Sequence, residues 1–257
     1  MREPLSHGGY AAGAGLEGIP YLTSGDADSA YEEVWKRVLS LDPLMGRRWL
    51  TSQSSNWLQR APFWPARLLI KEINCPLALD WLSVRFPMTF IVTVRHPCGY
   101  VASGLRLQKV GHQVVDLGQL LNQPRLMAKF STDEQEWLKG LTDPVAKMAA
   151  AYGIVYKLLG KQLLAHPEWI LVHHESICLD PTTGFNRLCE ATQLRFNRKL
   201  QSYLAASSKT HDDELYSLNR ISAEQPEKWK TELTTAEIDT IAAVIARFRL
   251  KFYRDFV

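Results

Sequence analysis

The chain has 257 residues, enough for one large domain or at most two small ones at roughly 100–200 residues per domain. With 46% hydrophobic and 22% charged residues it has the composition of an ordinary globular protein, which excludes a disordered or collagen-like chain. Thirty Lys and Arg against 27 Asp and Glu leave a net charge of only +3. That argues against a nucleic-acid partner, which calls for a strongly basic domain, but leaves room for a local anion pocket.

Residues 1–28 are rich in Gly, Ala, Ser and Asp without period and read as loop. Tyr31, Val34, Trp35, Val38 and Leu41 recur at helical spacing and predict a helix from about Ala30 to Leu41. Residues 42–66 give no clear assignment. The short apolar run Arg67 to Ile73 predicts a buried strand, and Leu77 to Arg85 a short helix closed by Phe86-Pro87. Thr89 to Val94 is β-branched and nearly continuous, the pattern of an internal parallel strand. Pro97 suits the first turn of a helix running to about Leu107.

Residues 109–141 read as short helices and a variable loop, and Pro144 to about Ala165 as a long helix. Trp169 to His173 is a third strand candidate. Helices are expected over Thr182–Thr192 and Arg198–Ala205, with a polar loop over 206–232. Thr234 and Glu237 make a capping box, and Leu233 and Ile238 can form a hydrophobic staple. The last helix then carries the apolar face Ile238, Ile241, Ile245, Phe248 and Phe252. Strands alternating with helices predict an α/β fold with a parallel sheet, as a single domain over residues 1–257.

Cys75, Cys98, Cys178 and Cys189 lie far apart, without zinc or redox spacing, and read as free thiols in a reducing compartment. No run approaches the roughly 18 apolar residues of a membrane span, and the N-terminus has no secretory-signal core. A soluble, cytoplasmic protein without a transmembrane segment is the expectation.

Gly13-Ala-Gly15-Leu-Glu-Gly18 matches the dinucleotide fingerprint as a string, but no strand precedes it and Ile19-Pro20 follows where a helix should open. His173 and His174 lack further ligands at fixed spacing, so no metal is expected. Ser103 belongs to no nucleophile elbow, which leaves a hydrolase without support. One segment stands out, Phe90-Ile-Val-Thr-Val-Arg95-His-Pro97-Cys-Gly-Tyr-Val-Ala-Ser103. A strand delivers an arginine at its carboxyl end and a helix opens two residues later. Ligands of open α/β sheets bind there, and an arginine fork beside a helix N-terminus suits an anion.

The Arg95-to-Ser103 spacing after a strand resembles the 3′-phosphate-binding motif of sulfotransferases, enzymes that use 3′-phosphoadenosine 5′-phosphosulfate (PAPS). Further stretches are similar to that family in the expected order. Leu69-Ile-Lys71-Glu72 looks like its lysine-bearing strand, and Trp169 to Pro181 resembles its Tyr-Glu-Asp-Leu…Pro turn, with His174 in place of the tyrosine that packs near adenine. Leu188 to Leu194 matches a short helix of the family, and Trp229-Lys230-Thr-Glu-Leu233 resembles its Trp-Arg…Leu ending. The resemblance spans roughly residues 67–255.

It implies a three-layer, P-loop-NTPase-like α/β architecture. The family's 5′-phosphosulfate loop, a strand followed by Pro-Arg/Lys-Ser-Gly-Thr-Thr, has no counterpart, since Thr23-Ser24-Gly25-Asp26 lacks the basic residue and the strand. Arg2-Glu3-Pro4-Leu5 resembles a step that follows that loop. The expectation is therefore a chain that begins inside the domain and lacks the first strand, leaving an unpaired sheet edge.

The resemblance implies transfer of a sulfuryl group from PAPS to an acceptor hydroxyl, without metal. Arg95 and Ser103 would grip the 3′-phosphate, His174 would lie near adenine, and Arg220 or Lys230 would close over the nucleotide. Lys71 would neutralise charge at the bridging oxygen. Glu72 is a candidate base, with His112, His7 and Glu3 as weaker ones; in a strand Glu72 would face away from Lys71. If a helix starts at Pro97, Ser103 lies six residues along it, about 9 Å at 1.5 Å per residue, so the turn must bend back for both groups to reach one phosphate. The acceptor could be a carbohydrate, a lipid or a small metabolite, met by residues 109–141 and 206–228. The alternative is an inactive or truncated relative that only binds a nucleotide or a partner. A nucleotide kinase is disfavoured, since no Gly-x-x-x-x-Gly-Lys-Ser/Thr occurs.

Overall fold

The computed structural model describes residues 18–39, 69–112, 114–207 and 222–253. They belong to two compact units, Met1–Phe86 and Pro87–Val257. The described part is mostly helical with a small parallel sheet, an α/β arrangement.

In the first unit, helix α1 (Ser29–Leu39) buries Tyr31, Val34, Trp35 and Val38, the face read from its spacing. Helix α2 (Leu79–Ser83) contributes Trp81, which has no exposed surface, stands 5.2 Å from the Tyr31 ring and donates its indole N–H to the Asp26 carbonyl at 2.9 Å. The Arg85 guanidinium lies over that indole at 4.3 Å. The strand expected over 67–73 is not formed at its described residues, 69–73. Residues 69–73 are irregular, with Leu69 69% and Ile73 58% exposed, so this apolar run is not the buried strand it resembles.

In the second unit, strand β1 (Ile91–Val94) pairs in parallel with β2 (Ile170–His173), Ile91 opposite Ile170 and Val94 opposite His173. Two strands form the sheet among the described residues. β1 is not an internal strand buried on both faces: Val92 and Val94 are buried while Ile91 and Thr93 are exposed. Near-continuous β-branching fits either case, because it reports strand preference rather than the number of covered faces.

Helix α3 (Pro97–Lys109) follows β1, with proline in its first turn. Three short helices, α4 (Leu117–Leu121), α5 (Pro124–Met127) and α6 (Thr132–Gly140), occupy the region read as variable. Helix α7 (Pro144–Ala165) is the core of the unit. Asp143 caps it by accepting the Ala146 N–H at 2.7 Å, and fourteen of its 22 residues are buried, so it is enclosed nearly all round.

After β2 come α8 (His174–Leu179), α9 (Pro181–Ala191), α10 (Arg198–Ser207), a 3₁₀ turn at Ser222–Glu224, α11 (Trp229–Glu232) and α12 (Thr235–Ala246). The stretch 222–232, read as loop, is thus partly helical. The capping box at Thr234 and Glu237 forms in both directions. Helix α12 stops at Ala246, however, and Phe248 and Phe252 reach the core from an irregular segment beyond it. Phe248 fills the notch left by Gly153 on α7, and Phe252 packs by Gly160 one face-repeat further on.

Candidate anion site at the end of the first strand

Arg95 follows β1 directly, so the strand carries it to the carboxyl end of the sheet. Its backbone is held by two tyrosines spaced i, i+4 on α7. Tyr152 donates its hydroxyl to the Arg95 carbonyl at 2.7 Å, and the Arg95 N–H donates to the Tyr156 hydroxyl at 3.3 Å. The two rings stack at 3.8 Å. Burial pushes both phenols above their ordinary values, so they remain neutral hydroxyls.

The Arg95 side chain turns back over the first turn of α3. A Cβ built on Gly99 would stand 3.1 Å from Arg95 Nε, so the guanidinium packs closely on α3 at a position without a side chain. Gly99, Ser103 and Arg106 step by four and three along one face of α3. The helix is regular from Pro97, and it is the long arginine side chain, not a bent turn, that brings a cation onto the face carrying Ser103.

Among the described residues the Arg95 guanidinium has neither a hydrogen-bond nor an ion-pair partner, and the Ser103 hydroxyl has none either. Burial lowers the guanidinium from its ordinary value, while the nearby Glu175 carboxylate partly opposes that shift. Arginine stays charged even so, so this is a partly buried cation without a counter-charge bonded to it among the described residues.

Glu175, in the first turn of α8, is the carboxylate nearest this cluster electrostatically, yet its oxygens are engaged elsewhere. Oε1 accepts the His96 N–H at 2.8 Å and Oε2 accepts the Tyr253 hydroxyl at 2.6 Å. Burial works to raise its carboxyl, and these hydrogen bonds outweigh it, so the net shift is downward. His96 stacks on Trp229 at 4.9 Å with an 8° interplanar angle, and burial lowers its imidazole to about 4. Arg106 pairs with Glu232 at 2.6 Å, which fixes α11 across α3.

The residues singled out from the sequence fare differently. His174 opens α8 half-buried, its imidazole lowered by burial and by the Arg95 charge, with the Cys178 sulfur 3.6 Å from its Nε2. Lys230 follows the stacked Trp229 and acts electrostatically on His96, but its ammonium is paired with Glu227 at 2.6 Å. Arg220, His7 and Glu3 lie outside the described residues, and His112 is exposed just past α3. Lys71 and Glu72 belong to the first unit. Lys71 is exposed, and Glu72 Oε1 accepts the N–H groups of Ile73 and Asn74, both at 2.8 Å, a local turn rather than the strand expected there.

Four contributors were not identified from the sequence. Gly99 sits four residues after Arg95, and Tyr152 and Tyr156 sit one helical turn apart; these spacings were legible. Tyr253 was not, because it follows directly on the apolar face expected to end at Phe252 and carries no spacing signal of its own.

Among the described residues no group of three or more His, Cys, Asp or Glu side chains is placed to hold a metal ion, and all four cysteines are free. No helix among them is long and apolar enough to cross a membrane. Compared with protein-family models, curated proteins and solved structures, the chain gives no match.

Proposed function

We propose that the second unit binds the 3′-phosphate of a phosphoadenosine nucleotide and that the protein is a PAPS-dependent sulfotransferase acting on an acceptor hydroxyl. The observation that carries the reading is the Arg95 guanidinium, partly buried, without an anionic partner among the described residues, and laid on the α3 face that bears Ser103. A dianionic phosphate ester supplies the missing partner: the guanidinium offers a planar fork of donors and the serine a neutral one. His174 and the Trp229–His96 stack offer flat surfaces nearby for a purine. On this reading the protein has the layered, P-loop-like architecture of the family it resembles.

In the reaction the acceptor oxygen forms a bond to sulfur, the bond from sulfur to the bridging phosphate oxygen breaks, and the acceptor proton passes to a base. The leaving group is 3′,5′-diphosphoadenosine. Positioning and stabilisation of charge supply most of the rate in transfers of this type. Arg95 and Ser103 orient the nucleotide. Transfer of labelled sulfate from PAPS to carbohydrate, lipid and small-alcohol acceptors tests the reading. Labelled product that disappears in the Arg95→Ala protein supports it, and the absence of product with every acceptor class contradicts it.

The second reading is a nucleotide-binding protein without transfer activity. The Glu72 carboxylate, the base expected from the sequence, favours it, since one of its oxygens is already occupied by two backbone amides of its own turn. Retained binding of 3′,5′-diphosphoadenosine without sulfate transfer is its signature.

A further inference from the structure

The segment after α12 alternates in a way that the end of a helix does not require. Arg247, Arg249 and Lys251 are exposed, while Phe248, Leu250 and Phe252 are buried. The aromatic and aliphatic side chains pin the segment to the core and turn a row of three cations outward. Arg249 has φ 49°, a left-handed conformation that residues other than glycine seldom adopt, and it is held there between buried Phe248 and Leu250.

Facing this row, Lys157, Lys161 and Leu164 step by four and three along α7. Together with Glu134 of α6 the two elements enclose a concavity of about 350 Å³. Five cations and one carboxylate line it. Glu134 is committed to Lys157 at 2.9 Å, and Arg247 rests on the Trp137 ring at 4.5 Å. Lys161, Arg249 and Lys251 have no ion-pair partner among the described residues.

From these observations we propose a second anion site, formed by Lys161, Arg249 and Lys251, for a ligand carrying several phosphate or sulfate groups. Charge and shape both point there. Three like charges held around one recess repel one another, and a multivalent oxyanion relieves that repulsion while using the Arg249 fork for a bidentate contact. The recess is of small-molecule size. A single-stranded nucleic acid fits less well, because base stacking needs open aromatic faces; Phe248 and Phe252 are buried here and Trp137 is covered by Arg247. The site is separate from Arg95: Tyr152 and Tyr156 reach Arg95 from a different face of α7, and the proposal does not rest on the sulfotransferase reading.

The same chemistry could be supplied by a free small anion or by the acid groups of a sulfated oligosaccharide. Calorimetric titration with inorganic tripolyphosphate and, separately, with a highly sulfated tetrasaccharide tells these sources apart. The expected result is saturable binding of at least one probe that weakens as salt rises. The Lys161→Ala/Arg249→Ala/Lys251→Ala protein should bind that probe at least about tenfold more weakly, the loss expected when charged hydrogen bonds are removed. Arg95→Ala should leave this binding unchanged, as should the control Lys129→Ala/Lys139→Ala/Lys147→Ala, which removes the same charge from exposed positions elsewhere on the unit. Saturable binding of neither probe, or an equal loss in the control, overturns the proposal.

Discussion

Arg95 lies against Gly99, four residues further on, so closely that a single methyl group at Gly99 would meet the guanidinium at 3.1 Å from Nε. The contact ties the position of the site's cation to the absence of a side chain one turn into α3. Because Gly99 is buried within a helix, its replacement separates stability from binding. Alanine favours the helix by up to about 1 kcal/mol over glycine. Gly99→Ala should therefore fold at least as stably as wild type, measured by urea denaturation, yet bind 3′,5′-diphosphoadenosine more weakly because the guanidinium is displaced from the Ser103 face. Undiminished affinity would show that the guanidinium's resting place has no bearing on binding.

A second expectation concerns acid. Burial depresses the His96 imidazole from 6.5 to about 4; Lys230 and Arg95 add to the effect and Glu175 opposes it. His174 is shifted in the same direction. Groups depressed in the folded state bind fewer protons there than in the unfolded chain, so the stability they confer is complete above about pH 6.5 and is lost as pH falls toward about 4. Glu175, depressed as well, adds to the loss at the acid end. The urea midpoint should fall across this interval, and His96→Phe, which keeps an aromatic ring for Trp229 to stack on, should flatten the fall. A midpoint with the same slope in both proteins would contradict the assignment of the shift to His96.

The core yields a sharper contrast. A Cβ on Gly153 would collide with the Phe248 ring, which is 3% exposed and cannot withdraw, whereas a Cβ on Gly104 would meet the flexible end of Met148. Overpacking against a fixed ring costs about 1–3 kcal/mol, while a thioether can swing aside. Gly153→Ala should be clearly the less stable of the two proteins in denaturant titrations. Equal stability would mean that the segment carrying Phe248 yields as easily as a methionine.

What was legible in the sequence were the features set by short-range chemistry. The capping box of Thr234 and Glu237, the proline at the start of α7, and the apolar spacing of α1 all act within one or two turns, and each appears where its residues place it. Replacing Thr234 by alanine should accordingly cost about 1 kcal/mol of stability, read from the denaturant midpoint. An unchanged midpoint would show that the cap is redundant. The failures share a different cause. Leu69 to Ile73 has a strand's composition, but strand formation depends on a pairing partner that local sequence does not encode. Phe248 and Phe252 continue the helical spacing of α12, yet the chain leaves the helix at Ala246 and still buries both, since periodicity constrains burial more tightly than it fixes backbone conformation.

At the candidate site, the arginine at the strand end and the proline-started helix could be read directly. The route by which Arg95 reaches the Ser103 face could not, because it runs along a side chain and over a glycine. Glu175 and Tyr253 come together across 78 residues, a distance at which no spacing rule operates.

Calorimetric titration of 3′,5′-diphosphoadenosine into wild type and Arg95→Ala tests most directly whether Arg95 is the partner of a phosphate. The expected result is saturable binding to wild type and a loss on the order of 1.5–3 kcal/mol in the variant, the range for hydrogen bonds to a charged group. Equal affinity in the two proteins, or no binding to wild type, would contradict it.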